Sequence, residues 1–191
     1  MQSITENFIQ GEHYWRDHRS ALFNKEVVKG AFVRHPEDRF LSAFRDRILD
    51  NRDNYALPHL KAMKHFGYRH DLDPQRKLEV FLAYAGACIE ADSLRTDRHF
   101  RPQVHNIAFG HVAYDVIGRV EQFYDGVLSL FERIGARDFI AGKPGLERRN
   151  PSTPYAIELT SKQRLYLEEL FSADYEAFGY SRRSQETPQD R

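Results

Sequence analysis

The stretch from Val27 to Asp50, VVKGAFVRHPEDRFLSAFRDRILD, joins a strand pattern to a helix pattern through a tight turn. The run up to Val33 is apolar, with β-branched and aromatic residues, which is typical of a buried strand. Pro36 suits the first position of a helix, where its missing N–H is no loss. Apolar residues then recur at three- and four-residue spacing as far as Ile48, so the helix has one apolar face. The stretch predicts a strand–turn–helix unit.

Two polar residues of this unit are candidates for binding an anion. Arg34 lies at the carboxyl end of the strand, where open α/β sheets bind ligands. Ser42 lies within the helix, on the side away from Phe40 and Phe44. A guanidinium and a hydroxyl can hold one phosphate between them, because the guanidinium supplies a fork of charged donors and the hydroxyl adds one more. Spacing alone leaves open the alternative of an Arg34 surface ion pair and a solvated Ser42.

Residues 32–48, FVRHPEDRFLSAFRDRI, resemble a motif of the sulfotransferases that use 3′-phosphoadenosine 5′-phosphosulfate (PAPS). The resemblance is to the carbohydrate branch, which includes the chondroitin and dermatan enzymes and bacterial relatives. The family pattern is a hydrophobic strand, Arg, Pro two residues on, Arg, and Ser followed by an aromatic. These positions are here Arg34, Pro36, Arg39, Ser42 and Phe44. The resemblance implies that Arg34 and Ser42 hold the 3′-phosphate of PAPS.

Further segments resemble the same family in the same order. Residues 97–103, DRHFRPQ, resemble its D-x-H-W-x-P-Q segment, with Phe in place of the usual Trp. Glu121 and Asp125 match an acidic pair at a helix start, where they suit the helix dipole rather than chemistry. Asn150–Ser152 resembles a loop ahead of the last helix. Residues 174–180, DYEAFGY, resemble the closing D-x-x-x-F-G-Y.

His99 is the candidate on the acceptor side. In the family its segment lies near the acceptor, so His99 could bind the acceptor sugar or act as general base, since histidine titrates near working pH. A structural histidine that is hydrogen-bonded within a loop is the alternative.

The resemblance covers residues 27–180 and implies an α/β fold. We expect a helix-rich domain over residues 1–180, with a small parallel sheet flanked by helices as in nucleotide kinases, and a disordered tail at 181–191. The implied reaction is transfer of a sulfuryl group from PAPS to a carbohydrate hydroxyl. The alternative is a truncated or degenerate domain that serves as a non-catalytic nucleotide-binding or interaction module.

One segment of the family pattern has no counterpart. The family has an earlier loop, roughly Pro-Lys-x-Gly/Ser-x-Thr-Ser, that binds the 5′-phosphosulfate, and no Gly-rich or Gly-Lys-Ser/Thr segment precedes Val27. Residues 3–20 indicate a polar helix, and Gly142-Lys143 indicates a turn. We therefore expect an N-terminally incomplete fold whose first strand has an exposed edge. Such a chain would be inactive alone, and aggregation-prone or dependent on a partner or second copy that covers this edge.

The composition of the chain limits which classes of partner and site we expect. Lys+Arg and Asp+Glu both total 28, so the formal net charge is zero, which argues against a nucleic-acid binder. The spacing of His59, His65 and His70 predicts no metal site. Cys88, the single cysteine, lies in an apolar helix pattern and allows no intrachain disulfide. Because the sequence also shows no signal peptide and no apolar run that could span a membrane, we expect a cytoplasmic protein.

Overall fold

The computed structural model describes residues 19–50, 57–140, 142 and 157–184. The strands are β1 (Gly30–Val33) and β2 (Val116–Arg119). A π-helical segment, Arg45–Asp50, extends α2, and short 3₁₀ turns cover Lys64–Phe66 and Val120–Gln122. The α-helices are α1 (Arg19–Phe23), α2 (Pro36–Phe44), α3 (Leu57–Met63), α4 (Pro74–Asp92), α5 (Gln103–Asn106), α6 (Phe123–Arg133), α7 (Arg137–Ile140), α8 (Ser161–Leu170) and α9 (Ser172–Phe178). In this described part of the chain, none of the helices is both long and apolar enough to cross a bilayer.

The two strands form a parallel pair, with Gly30 opposite Val116 and Val33 opposite Arg119. This small parallel sheet within a helix-rich chain confirms the predicted α/β class. Strand β1 is shorter than its apolar pattern predicted, because residues 27–29 are irregular, and β2 begins only after the irregular residues 111–115. The Asp115 carboxylate accepts a hydrogen bond from the backbone N–H of Lys29 (2.8 Å) just where regular pairing begins.

Helix α6 packs against the sheet at two glycines. Gly118 on β2 and Gly126 on α6 both face the ring of Phe32 on β1. A Cβ at Gly126 would lie 2.7 Å from that ring, which is closer than real Cβ atoms come, and 3.1 Å from the Cα of Gly118, which is tighter than most real Cβ contacts. The absence of side chains at both positions therefore permits the close approach of helix and sheet.

The core lies among α2, α4, α8 and the loop at residues 97–103. Its largest side chains are phenylalanines that are at most 2% exposed: Phe40, Phe44, Phe81, Phe100 and Phe171. The ring of Phe81 is central, at centroid distances of 5.0 Å from Phe40, 5.6 Å from Phe44 and 5.3 Å from Phe100. Phe100 thereby anchors its loop in the core, which accounts for the aromatic residue at this position of the motif.

Side chains cap the first turns of two helices. Helix α4 begins at Pro74, and the Asp73 carboxylate accepts from the backbone N–H of Arg76 (2.9 Å). Helix α8 is capped by Thr160, which forms a capping box with Gln163. Phe171 then separates α8 from α9.

Some sequence predictions fall outside the described residues. Residues 3–18 of the polar helix proposed for residues 3–20 lie outside, as do Lys143 and Asn150–Ser152. Cys88 is half-buried on α4.

The C-terminal segment contacts the domain beyond the boundary predicted at residue 181. The backbone N–H of Ser184 donates to Glu168 (2.8 Å), and Arg183 donates to Asp38. Glu168 is only 2% exposed, so Ser184 satisfies a buried carboxylate. The predicted tail therefore includes residues that pack on α2 and α8, and residues 185–191 lie outside the description.

Replacing Gly126 by Ala tests the close packing of α6. Alanine has the higher helix propensity, but its methyl group would collide with Phe32 and Gly118, so we expect a loss of about 1–3 kcal/mol in the free energy of unfolding. Urea unfolding followed by circular dichroism measures this loss. Ser129→Ala, at an exposed position of the same helix, is the matched control and should change stability little. Equal stability of the two variants would contradict the packing argument.

Candidate functional site

The turn from β1 into α2 is fixed by the side chain of a distant glutamine. The Oε1 atom of Gln103 accepts from the backbone N–H of Arg34, and its Nε2 donates to the Arg34 carbonyl, both at 2.8 Å. Gln103 is 4% exposed. Its amide group thus pairs with Arg34 as a neighbouring strand would, at the carboxyl end of β1.

Gln103 is itself held by Asp174 of α9. This fully buried carboxylate accepts from the backbone N–H groups of Gln103 (2.8 Å) and Val104 (2.9 Å), where α5 begins. Burial raises the pKa of Asp174, although these N–H donors oppose the shift. The D-x-H-F-x-P-Q segment and the closing D-x-x-x-F-G-Y segment therefore meet behind the turn.

Glu121 and Tyr180 bind the same turn from another side. Glu121 Oε1 accepts from the backbone N–H of His35 (2.7 Å), and the Tyr180 hydroxyl lies 3.1 Å from Glu121 Oε2 and 3.3 Å from the carbonyl oxygen of Val33. Burial raises the pKa of Tyr180, so its hydroxyl stays a donor at neutral pH. Glu121 does lie at a helix start, as its position in the sequence indicated, but its carboxylate also satisfies a backbone donor of the turn.

Arg34 and Ser42 are both related to Asp38, the residue near the start of α2. Asp38 and Ser42 are one helical turn apart on α2 and share a face. The positive charge of Arg34 helps to lower the pKa of Asp38, so Arg34 lies near this face. Ser42 is half-buried. The charge of Arg34 therefore reaches the residue that lies one helical turn before Ser42.

Arg183 neutralises the acidic residue between them. Its guanidinium binds both carboxylate oxygens of Asp38, at 2.8 and 2.9 Å, and also reaches Glu37 at 3.3 Å. Burial raises the pKa of Asp38, but the bidentate contact with Arg183 outweighs burial and leaves this pKa below its usual value. Sequence analysis missed Arg183, because it lies in a polar segment whose composition indicated disorder.

Arg39 holds the loop at residues 97–103 against α2. Its guanidinium donates to the carbonyl oxygens of Arg101 (2.7 Å) and Arg98. Burial lowers the pKa of Arg39 to about 10, so it remains charged at neutral pH. The resemblance gave this arginine of the motif no role, and its contacts now show a structural one.

His99 is held in one tautomer by Asp97. An ionised carboxylate can only accept, so the His99 Nδ1–H donates to Asp97 Oδ1 (2.6 Å), which also accepts from the backbone N–H of His99 (2.8 Å). The other ring nitrogen, Nε2, therefore carries the lone pair. The guanidinium of Arg47 on the π-helical segment lies against both ring nitrogens, through its Nη2 atom.

Asp97 binds a second histidine, which sequence analysis considered only as a possible metal ligand. His59 Nε2 lies 2.9 Å from Asp97 Oδ2, and His59 Nδ1 lies 2.9 Å from the Tyr84 hydroxyl. Burial raises the pKa of Asp97, but the hydrogen bonds from both histidines outweigh it and hold this pKa well below its usual value. No local signal links His59 to His99, because they lie on separate elements.

The predicted site residues therefore form two connected groups. Arg34 and Ser42 belong to the β1–α2 unit, whereas His99 belongs to a loop that packs against it through Arg39 and Arg47. The same loop ends in Gln103, whose amide binds the backbone of Arg34. One segment thus connects the two groups.

Replacing Asp38 by Asn tests the Arg183 contact. Because the pKa of Asp38 is lower in the folded than in the unfolded chain, its stabilisation is present above the unfolded value, about 3.9, and is lost as the pH falls through the folded value. We expect Asp38→Asn to lower the Tm at neutral pH and to have little effect near pH ~2. Thermal unfolding across this range measures the difference. The exposed Asp71→Asn is the control, and a difference for Asp38→Asn that does not vary with pH would refute the argument.

Comparison with known proteins now identifies the family. The model of the sulfotransferase family matches residues 5–181. Carbohydrate sulfotransferase 12 of Xenopus laevis is 24% identical over 197 residues, which cover 92% of this chain and 47% of that protein. The chain thus spans about half the length of this curated relative. No solved structure matches the chain. The family match extends over nearly the whole sequence and includes every motif around the β1–α2 turn, so the chain belongs to the sulfotransferase family.

Proposed function

We propose that this protein transfers a sulfuryl group from PAPS to a hydroxyl group of a carbohydrate, against the expectation of an inactive chain that its missing loop raised. The observation that carries the proposal is the link made by residues 97–103, which join the base candidate His99 to the anion-binding candidate Arg34 through Gln103. Membership of the sulfotransferase family supports the reaction class. The name of the similar Xenopus laevis protein supports a carbohydrate acceptor.

Arg34 and Ser42 fit the 3′-phosphate of the donor. The backbone of Arg34 is fixed at both its N–H and its carbonyl by Gln103, so its side chain extends from an ordered position. Ser42 adds a hydroxyl one helical turn after Asp38. Asp38 itself would repel a phosphate, but Arg183 neutralises it. The region therefore combines positive charge with a hydroxyl donor, as a phosphate site needs.

His99 fits the role of general base. When bound, PAPS supplies the sulfuryl group: the acceptor oxygen bonds to sulfur, the bond from sulfur to the 5′-phosphate oxygen breaks, and adenosine 3′,5′-bisphosphate leaves. His99 Nε2 carries the lone pair that takes the proton of the acceptor hydroxyl. Asp97 stabilises the imidazolium that forms, because its carboxylate already binds Nδ1–H.

Arg47 places positive charge beside this base. Its guanidinium contacts both ring nitrogens of His99 and so lies next to the reacting groups. It is then available to the anionic oxygens of the transferred group, as arginines are in related transfer reactions.

Replacing Arg34 by Ala tests the nucleotide site. The loss of one charged phosphate contact should weaken binding of adenosine 3′,5′-bisphosphate by about 1.5–3 kcal/mol, roughly tenfold to over a hundredfold, and should weaken 5′-AMP far less. Titration calorimetry with both ligands measures the contrast. Arg76→Ala, which removes an exposed arginine on α4, should leave both affinities unchanged. Equal losses for the two nucleotides in Arg34→Ala would reject the assignment.

Replacing His99 by Ala tests the base. We expect at least a hundredfold loss in transfer of labelled sulfate from PAPS to desulfated chondroitin or dermatan, on the order of what a general base contributes, with nucleotide affinity kept. If His99→Ala weakens nucleotide binding as much as Arg34→Ala does, His99 belongs to the donor site or to the fold. Nucleotide binding without transfer by the unaltered chain would favour the alternative of a non-catalytic nucleotide-binding module.

A further inference from the structure

We propose that His59 is a positioning residue for His99 and acts through the carboxylate that the two histidines share. The inference rests on the proposed function, in which His99 is the base. His59 lies on α3, at a distance in the sequence from the family motif that contains His99.

The hydrogen bonds around Asp97 form one consistent series of donors and acceptors. Because ionised Asp97 only accepts, His59 donates through Nε2–H to Oδ2 (2.9 Å). In the neutral imidazole of His59, Nδ1 is then an acceptor, and the Tyr84 hydroxyl donates to it (2.9 Å). Burial raises the pKa of Tyr84, which keeps this hydroxyl protonated. Oδ1 of Asp97 is left for His99.

Packing fixes His59 independently of these hydrogen bonds. Its ring lies edge-on to Phe100 (5.5 Å between centroids) and to Tyr84 (5.9 Å). The side chain is 19% exposed. Helix α3 is anchored in the core by Leu60 and Met63, which are 5% and 0% exposed. An imidazole held so firmly restricts the rotation of the carboxylate that it binds.

The consequence for His99 is both geometric and electrostatic. While His59 binds Oδ2, the Asp97 carboxylate cannot turn away from His99, and part of its negative charge is neutralised by the donated hydrogen bond. Without His59, His99 faces a less neutralised carboxylate, which favours the protonated imidazole. A protonated His99 cannot accept the acceptor's proton, so the base would act only at higher pH.

Other charged or titratable groups face this network and stay constant in the comparison. Arg47 of the π-helical segment contacts His99, and the charge of Arg39 on α2 acts on Asp97. On α4, Tyr84 hydrogen-bonds to His59 and lies beside Cys88. None of these groups is altered in the variants below, so a shift in titration reports the loss of the His59 donor.

The test compares His59→Gln with His59→Phe in the full chain. A glutamine amide can still donate to Asp97, whereas phenylalanine keeps a ring of similar size without a donor. Ring-¹⁵N NMR follows the titration of His99 in each variant. We expect the midpoint to rise by about 0.5–1 pH unit in His59→Phe and to stay near the wild-type value in His59→Gln. His65→Phe, at an exposed position of a neighbouring turn, controls for the loss of a histidine.

The pH dependence of turnover gives the second measurement. In His59→Phe the acid limb of the kcat profile should move to higher pH by the same amount as the NMR midpoint. An unmoved His99 midpoint in His59→Phe overturns the inference, whatever the turnover. If the midpoint moves in His59→Phe but His99→Ala keeps full activity, His99 is not the base, and the proposed function loses that assignment. Circular dichroism checks that each variant is folded. If His59→Phe is not folded, the expected wild-type midpoint of His99 in His59→Gln still tests the inference.

Discussion

The pairing of the Gln103 amide with the backbone of Arg34 is the interaction on which the site depends. It sets the end of β1, where a two-stranded sheet offers few other partners, and it places the loop at residues 97–103 beside the β1–α2 turn. Asp174 makes this possible, because its buried carboxylate satisfies the backbone donors at the start of α5 and so fixes the direction of the glutamine. Loss of either residue would leave buried polar groups without partners.

The loop at residues 97–103 shows how one short segment meets several demands at once. Phe100 enters the aromatic core, Arg39 binds the carbonyl groups on either side of it, and His99 is turned the opposite way toward Arg47. Because the loop is anchored by the core and by α2, the imidazole projects from a rigid backbone although it lies outside regular secondary structure.

Sequence patterns predicted the local features of this protein better than its long-range contacts. The Val27–Ile48 pattern predicted the strand, the turn and the helix, because these depend on neighbouring residues. Patterns could not reveal the contact of Arg183 with Asp38, or the contact of His59 with Asp97, since each joins residues far apart in the chain. The prediction for Glu121 was correct in part. Its position at a helix start followed from the sequence, but its hydrogen-bond partner, the backbone N–H of His35, did not.

The π-helical segment at Arg45–Asp50 has a consequence for how relatives should be aligned. A π turn closes its hydrogen bond over one more residue than an α turn, so it accommodates an extra residue within the helix. The direction of Arg47 toward His99 therefore depends on the length of the segment as well as on the arginine itself. A relative with one residue fewer in this segment would present a different side chain to its histidine, even if the remaining residues were identical. Sequence identity in this segment can thus pair residues that are not equivalent in space.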